Sequence, residues 1–472
     1  MFWLLTLILL HLLGLFSAFH AVMTTRTSQG AVAWSISLLT IPYVALPLYW
    51  LFGRSKFHGY TQARQKAEKQ VSDKLQNIIP QLQKQRVPTN ELAILEKTAQ
   101  RVAKMPWMKA NAVELLIDGQ ETFASMFEGI LKAQHYILVE FYIVRDDKLG
   151  LEFKNRLIER AKEGLKIYFL YDEIGSYKLS ENYLQDMRRA GISVYDFHTQ
   201  KGAQNHFQIN FRNHRKIMIV DGKEAWVGGH NIGDEYVSKN KKFGHWRDTH
   251  IKIIGPSVIS LQQAFIEDWF WAAEYLIEHL YWQPIAAQTA DKKVLIIPSS
   301  PADEIETTSL MFLQAINAAK ERIWISSPYF VPDSAIIKAL QLAGLRGVDV
   351  RILIPAKADH LLVYLAAFTY FETAGITGVK FFRYHNGFLH QKVMLIDESH
   401  AAVGTANLDN RSFRLNFEIT ALIADSNFAS EIRVMLENDF KDAKRVSVEE
   451  LQKLPFYFKV ATHLARLTSP IL

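Results

Sequence analysis

Two long uncharged runs open the chain. Phe2 to Met23 is 22 residues without a formal charge and rich in Leu. At about 1.5 Å per residue it reaches roughly 33 Å, enough to cross a hydrocarbon core. Thr24 to Gly30 is a short polar loop carrying Arg26, and Ala31 to Gly53 is a second uncharged run of 23 residues. Pro42 and Pro47 lie inside it, which membrane helices tolerate when freed carbonyls find partners. Trp34, Tyr43, Tyr49 and Trp50 stand near its ends, as interfacial aromatics do. The pattern predicts a transmembrane helical hairpin over residues 1–53. A cleaved signal peptide is the other reading of the first run, but the run lacks a Lys/Arg leader and its apolar stretch is long.

The pattern then changes. Residues 54–108 are polar and favour helix, with Pro80 as an interruption, and read as a connector without chemistry. Beyond it the same order of elements occurs twice. The β-branched and aromatic run 135–144 matches 322–331, and each is followed by a helical pattern. Strand 166–172 matches 349–355, and 192–198 matches 379–385. Alternation of strand and helix predicts an α/β fold, with halves at 109–290 and 291–446 and a C-terminal tail at 447–472 packing on the domain or the membrane surface. The first half carries eleven extra residues between His198 and His214. Two further aromatic stretches, 265–282 and 361–371, read as core helices; the second is too short to span a bilayer.

Composition adds little until it is divided. The mean hydropathy of −0.02 averages an apolar N-terminus with an ordinary globular remainder. Lys+Arg 54 against Asp+Glu 48 gives +6, too diffuse to argue for nucleic acid. Cysteine is absent, which excludes disulfides, thiolate metal sites and a Cys nucleophile. Arg54, Lys56, Arg64, Lys66 and Lys69 follow the second run, against Arg26 alone in the loop. The positive-inside rule then puts the C-terminal part in the cytoplasm.

The chemistry lies in a motif that occurs in both halves. His214, Lys216, Asp221, Gly228 and Asn231 repeat at the same spacing as His390, Lys392, Asp397, Gly404 and Asn407. A single H-x-K carries no information; the whole pattern, recurring at the same place in the strand order, does. On a strand, residues two apart face the same side, so each His shares a face with its Lys. Small residues after the glycines, Gly229 and Thr405, leave room for a phosphate oxygen, and the Asn amides can donate to it. Two halves packed about a pseudo-twofold would gather two His, two Lys and two Asn, a cationic cluster suited to a phosphodiester. Asp221 and Asp397 belong to the motif and are carried as catalytic candidates, although their strand-end positions suit turn residues better. Tyr142 and Tyr329 occupy equivalent strand ends and are candidates to line a headgroup site. His230 has no counterpart, since Ala406 replaces it.

The duplicated H-x-K-(x)4-D resembles the signature of the phospholipase D superfamily, over residues 109–446. With the N-terminal hairpin, residues 212–222, 228–236, 246–258 and 326–333 are similar to bacterial cardiolipin synthases of the two-span type. The resemblance implies two phospholipase D-like αβα sandwich halves. It implies transfer of a phosphatidyl group between two phosphatidylglycerols, giving cardiolipin and glycerol, in the bacterial inner membrane. A phospholipase D-type hydrolase and a membrane-tethered nuclease are the alternatives. The expected partners are phosphatidylglycerol and membrane lipids, with no nucleic acid, cofactor or metal. One His attacks phosphorus and the other protonates the departing oxygen. The sequence is symmetric on which does which, and the resemblance favours His214 as nucleophile. It also implies that Asp248 and Glu418 hydrogen-bond the histidines.

Overall fold

The computed structural model describes residues 1–53, 57–75, 78–199, 210–288 and 290–472. Most of the expected eleven-residue insertion falls on residues 200–209, outside the described residues, as do Arg54 and Lys56 of the basic stretch.

The β-branched and aromatic runs form strands, of which sixteen join in one sheet. In the first half these are β1 (Met108–Ile117), β2 (Tyr136–Phe141), β3 (Lys166–Asp172), β4 (Ser193–Phe197), β5 (Arg212–Asn213), β6 (Lys216–Val220), β7 (Glu224–Gly228), β8 (Trp246–Arg247) and β9 (Thr249–Ile254). In the second they are β10 (Lys292–Ser299), β11 (Arg322–Ser326), β12 (Phe330–Val331), β13 (Asp349–Pro355), β14 (Lys380–Tyr384), β15 (Phe388–Leu389), β16 (Val393–Ile396), β17 (His400–Gly404), β18 (Leu408–Asp409), β19 (Asn416–Ala424) and β20 (Ala443–Arg445). The central seam is the antiparallel pair β1–β10. Outward from it the order is β9, β7, β6, β2, β3, β4 on one side and β19, β17, β16, β11, β13, β14 on the other, closed by β20. The two sequences of strands are images of each other, so the repeat in the sequence is a pseudo-twofold in the sheet. Apart from this sheet, β8 pairs with β15 and β12 with β18.

Strands such as β2 and β6 are buried along their whole length, because helices cover both faces. The helices Val258–Ala273 and Ser426–Lys441 contribute Phe265, Trp269, Phe428 and Leu436 to a core that both halves share. The aromatic stretch 265–282 is core helix as far as Ala273; residues 274–282 leave the helix, and Tyr275 and Tyr281 are each 40% exposed. The helix Leu361–Gly375 is not fully enclosed. It packs Ala366 and Ala465 together with the C-terminal helix Phe456–Arg466, while Leu361 and Leu362 remain exposed.

The N-terminus departs from the expected pair of spans. Helix α1 (Phe2–Thr24) is long and apolar enough to cross a membrane. The second run is instead two helices, α2 (Ser28–Thr40) and α3 (Pro42–Phe52), broken at Ile41. Pro42 has no N–H to donate to the Leu38 carbonyl, and its ring is suited to a first helical turn, so the helix stops and restarts there. Each piece is too short to span.

The connector is not an idle spacer. Helix α4 (His58–Leu75) lies on Val258–Ala273, and Phe57 and Tyr60 are buried in the shared core. The Tyr60 hydroxyl donates to Asp268 at 2.5 Å, and Arg64 pairs with Glu267 and Asp303.

Candidate active site

Each motif histidine follows a two-residue strand that pairs with the other half. β5 runs parallel to the start of β19, and His214 N donates to the Phe417 carbonyl at 2.9 Å. β15 runs parallel to β8, and His390 N donates to the Arg247 carbonyl at 2.8 Å. The halves therefore exchange partners. His214 Nδ1 lies 2.9 Å from Glu418 Oε2 of the second half, and His390 Nδ1 lies 2.7 Å from Asp248 Oδ2 of the first. A carboxylate at Nδ1 keeps the proton there and leaves Nε2 with its lone pair toward the site. The unequal distances of Asp248 and Glu418 from their motif asparagines are thus reconciled by crossed pairing.

The two lysines complete the cluster. Lys216 and Lys392 are buried, and each donates to the carbonyl of its own motif histidine, Lys216 at 2.6 Å. Lys392 Nζ also lies 2.9 Å from His390 Nε2. The residue between each His and Lys fastens the motif from behind. Arg215 donates to Asp268 at 2.6 Å and to the Glu418 carbonyl at 3.2 Å, while Gln391 donates to Asp439 at 2.8 Å. Asp268 and Asp439 stand on the two helices of the shared core, and Arg247 pairs with Asp439 as well.

Burial and mutual repulsion govern the electrostatics. Burial, then the positive charges of the lysines, lowers His214 to about 4 and His390 to about 3, despite their carboxylate partners. Burial likewise brings Lys216 down to about 7 and Lys392 to about 8. Burial alone would raise the carboxyls, but neighbouring histidines and lysines hold Asp248 and Glu418 below the usual range. A site so short of negative charge is complementary to an anion, whose arrival would return protons to the cluster.

Other predicted residues serve differently from their expected roles. Asp221 and Asp397 are not brought to the histidines. They lie at the far ends of β6 and β16 with φ of 53° and 50°, a conformation Asp tolerates. Asp221 accepts from the backbone N–H of Gln134, His135 and Tyr136, and Asp397 from those of Lys320, Glu321 and Arg322. They tie a turn to the start of the neighbouring strand, so their place in the motif is structural. Gly229 and Thr405 serve the carboxylates rather than leaving open space for phosphate. A Cβ on Gly229 would stand 1.9 Å from Asp248 Oδ1, and the Thr405 hydroxyl donates to Glu418 at 2.6 Å. The Asn231 amide is already engaged, accepting from Ile143 N and donating to the Tyr236 hydroxyl. Asn407 Oδ1 is buried and has no hydrogen-bond partner among the described residues.

Tyr142 lies edge-on to His214 at 4.9 Å between ring centres, with Lys216 Nζ 5.4 Å from its ring. Tyr329 turns to Asp359, donating at 2.5 Å. The sequence reading missed Tyr236 and Trp246, which surround His390 at 6.4 and 5.1 Å. Trp246 adjoins the Asp248 segment, the one signal available for it. His230 is buried against His250, with 3.2 Å between their Nδ1 atoms, and acts electrostatically on Asp248.

Comparison with known proteins decides the family. The family model described as "Cardiolipin synthase, PLD-like domain" matches residues 126–269 and 312–440. This chain belongs to that family, within the phospholipase D superfamily. Cardiolipin synthase A of Pseudomonas fluorescens strain Pf-5 is 47% identical over 469 residues, covering 98% of this chain and 97% of the relative. Cardiolipin synthase A of Pseudomonas syringae pv. syringae is 46% identical over 470 residues, with the same coverage. Among solved structures, phosphatidylserine synthase from Haemophilus influenzae Rd KW20 covers 80% of this chain and all of its own, with a TM-score of 0.61. At 14% identity it supports the shared fold alone.

Proposed function

We propose that this chain is a phosphatidyltransferase that makes cardiolipin and glycerol from two molecules of phosphatidylglycerol. The observation that carries the reading is the pair of crossed histidine–carboxylate contacts beside two buried lysines, in a chain of this family. His214 Nε2 attacks phosphorus, the bond from phosphorus to the glycerol oxygen breaks, and His390 gives that oxygen its proton. The product of this step is a phosphatidyl-histidine and free glycerol. His390, now neutral, takes the proton of the second lipid's hydroxyl as its oxygen attacks phosphorus, and the bond to His214 breaks. Protons and charge return to their starting places.

Neutral histidine suits a nucleophile. The acid His390 needs a proton, which the incoming phosphodiester favours by offsetting the two lysines. Lys216 and Lys392 face the equatorial oxygens, where charge accumulates in the transition state. Asp248 and Glu418 are positioning residues that orient the rings. Tyr142 and Tyr329 line the headgroup region.

The catalytic part lies on the cytoplasmic face of the bacterial inner membrane. The C-terminal helix Phe456–Arg466 turns Phe456, Tyr457, Val460 and Leu464 outward at helical spacing, a stripe fitted to lie against lipid. Lipid mass spectrometry of the purified protein with phosphatidylglycerol tests the function. Cardiolipin and glycerol are expected from the wild type and neither from His214→Ala. Phosphatidic acid without cardiolipin would instead assign a hydrolase.

A further inference from the structure

We propose that the chain crosses the bilayer once, through α1, and that α2 and α3 form a re-entrant wedge entering and leaving on the side of the catalytic body. The lengths alone point this way. α2 and α3 have 13 and 11 residues. At about 1.5 Å per residue they reach roughly 20 and 16 Å, against about 30 Å of hydrocarbon and about 34 Å for α1.

The contacts fix the direction of each piece. α2 descends along α1 from the loop at Arg26 until Leu38 and Pro42 meet Gly14. A Cβ on Gly14 would stand 2.4 Å from the Leu38 carbonyl oxygen and 3.1 Å from Pro42 Cβ, so only glycine permits the approach. If the helix ran on, Trp50 would come level with Phe2. Instead Trp50 Nε1 donates to Ser17 Oγ at 3.1 Å, and the Tyr49 hydroxyl lies 2.6 Å from His20 Nδ1. Trp34 of α2 packs on Tyr49 of α3 with ring centres 5.3 Å apart. α3 therefore climbs back beside α2 toward the end of α1 where α2 began.

Both ends of the wedge are fastened to the same body. At its entry, Arg26 donates to Glu306 at 3.3 Å and to the Arg414 carbonyl at 3.4 Å. Beyond its exit, Phe57 stacks on Phe211 at 5.2 Å and Tyr60 meets Phe417 at 4.6 Å. Meanwhile Phe2 and Trp3, at the far end of α1, are 75% and 79% exposed. A broken helix at membrane depth needs its backbone satisfied within the protein. Here Ile41 N donates to the Ser37 carbonyl, and the Ser37 and Thr40 hydroxyls donate to the Ala33 and Ile36 carbonyls, so these donors are satisfied within the helix at the break.

The charge count changes with the path. Arg26 joins Arg64, Lys66 and Lys69 on the catalytic side. Polar flanks thus favour a cytoplasmic catalytic body more strongly than a two-span hairpin would.

The chain has no cysteine, so single-cysteine variants of the full-length protein report its path directly. In sealed vesicles whose outward catalytic body is verified by labelling of Lys162→Cys, a membrane-impermeant maleimide should label Gln29→Cys to the same extent before and after detergent. Labelling of Gln29→Cys only after detergent would overturn the proposal. Oxidative cross-linking gives a second readout. The pair Ser17→Cys/Trp50→Cys should form a disulfide and Phe2→Cys/Trp50→Cys should not; the reverse result would restore two spans.

Discussion

The two halves have the same strand order but hold their histidines by different means. On one side Asp248 reaches His390 through a space that Gly229 leaves open, with Trp246, Tyr236 and Phe388 around the ring. On the other the longer Glu418 reaches His214 while also accepting from Thr405, Ser412 and Asn416, and Tyr142 is the ring's aromatic neighbour. The two copies keep a carboxylate at Nδ1 of each histidine and differ in the groups around it. A nucleophile and an acid/base need different surroundings, and a duplicated site can supply them only where the copies differ.

Removing the reacting groups should erase the difference between the halves. His214→Ala and His390→Ala should each lower kcat by about 10⁴-fold or more, and the double variant should fall little further, since the groups act as a unit. Steady-state cardiolipin formation reads this. The next effect should separate the halves. Gly229→Ala drives a methyl group into Asp248 and should cost about 10²-fold in kcat, whereas Thr405→Ser keeps the hydroxyl donor and should cost under about 3-fold. Equal losses would mean that the carboxylates are not held in the manner described.

The lysines give a pH signature. Their charged forms are the active ones, and burial lowers them to about 7 and 8, so charge is lost as pH rises through those values. In kcat/KM, which reports the free enzyme, activity should therefore fall above about pH 7 rather than above 10. Lys216→Arg should move that alkaline limb upward. Because His214 is lowered to about 4, no loss should occur near 6.5 as pH falls.

The smallest effect concerns stability. Asp221→Ala removes the acceptor of three backbone N–H groups and should destabilise by about 2 kcal/mol in chemical denaturation. Asp397→Ala, at a more exposed turn, should cost about half as much. The folded fraction of each should keep near-normal kcat.

Much of this was legible in the sequence, because continuous β-branched and aromatic runs and an exact motif spacing are local. The four histidines and lysines, the paired halves and the buried aromatic helix came from such patterns. The crossed pairing did not. Nothing in the spacing of Asp248 and Glu418 says that each belongs to the histidine of the other half, since that depends on β5 and β15 pairing across the pseudo-twofold. Tyr60 was passed over because a helical connector carries no sign that one hydroxyl will meet a buried carboxylate behind the motif. The break in the second apolar run was not legible for a related reason. The run's length fits a span, and Pro42 is compatible with a kinked helix; only contact with Gly14, Ser17 and His20 shows that it turns back. Asp221 and Asp397 show the opposite case, in which exact recurrence in a motif marks a backbone need rather than a reaction.

The central claim is that His214 and His390 divide the labour of one site. It is tested most directly by mixing His390→Ala with a phosphatidyl ester of p-nitrophenol, whose leaving group needs no acid. The account predicts a burst of about one nitrophenolate per site and, after alkaline quench, a phosphatidyl adduct on the peptide containing His214. Absence of a burst, or a burst retained in His214→Ala with the adduct on His390, would contradict it.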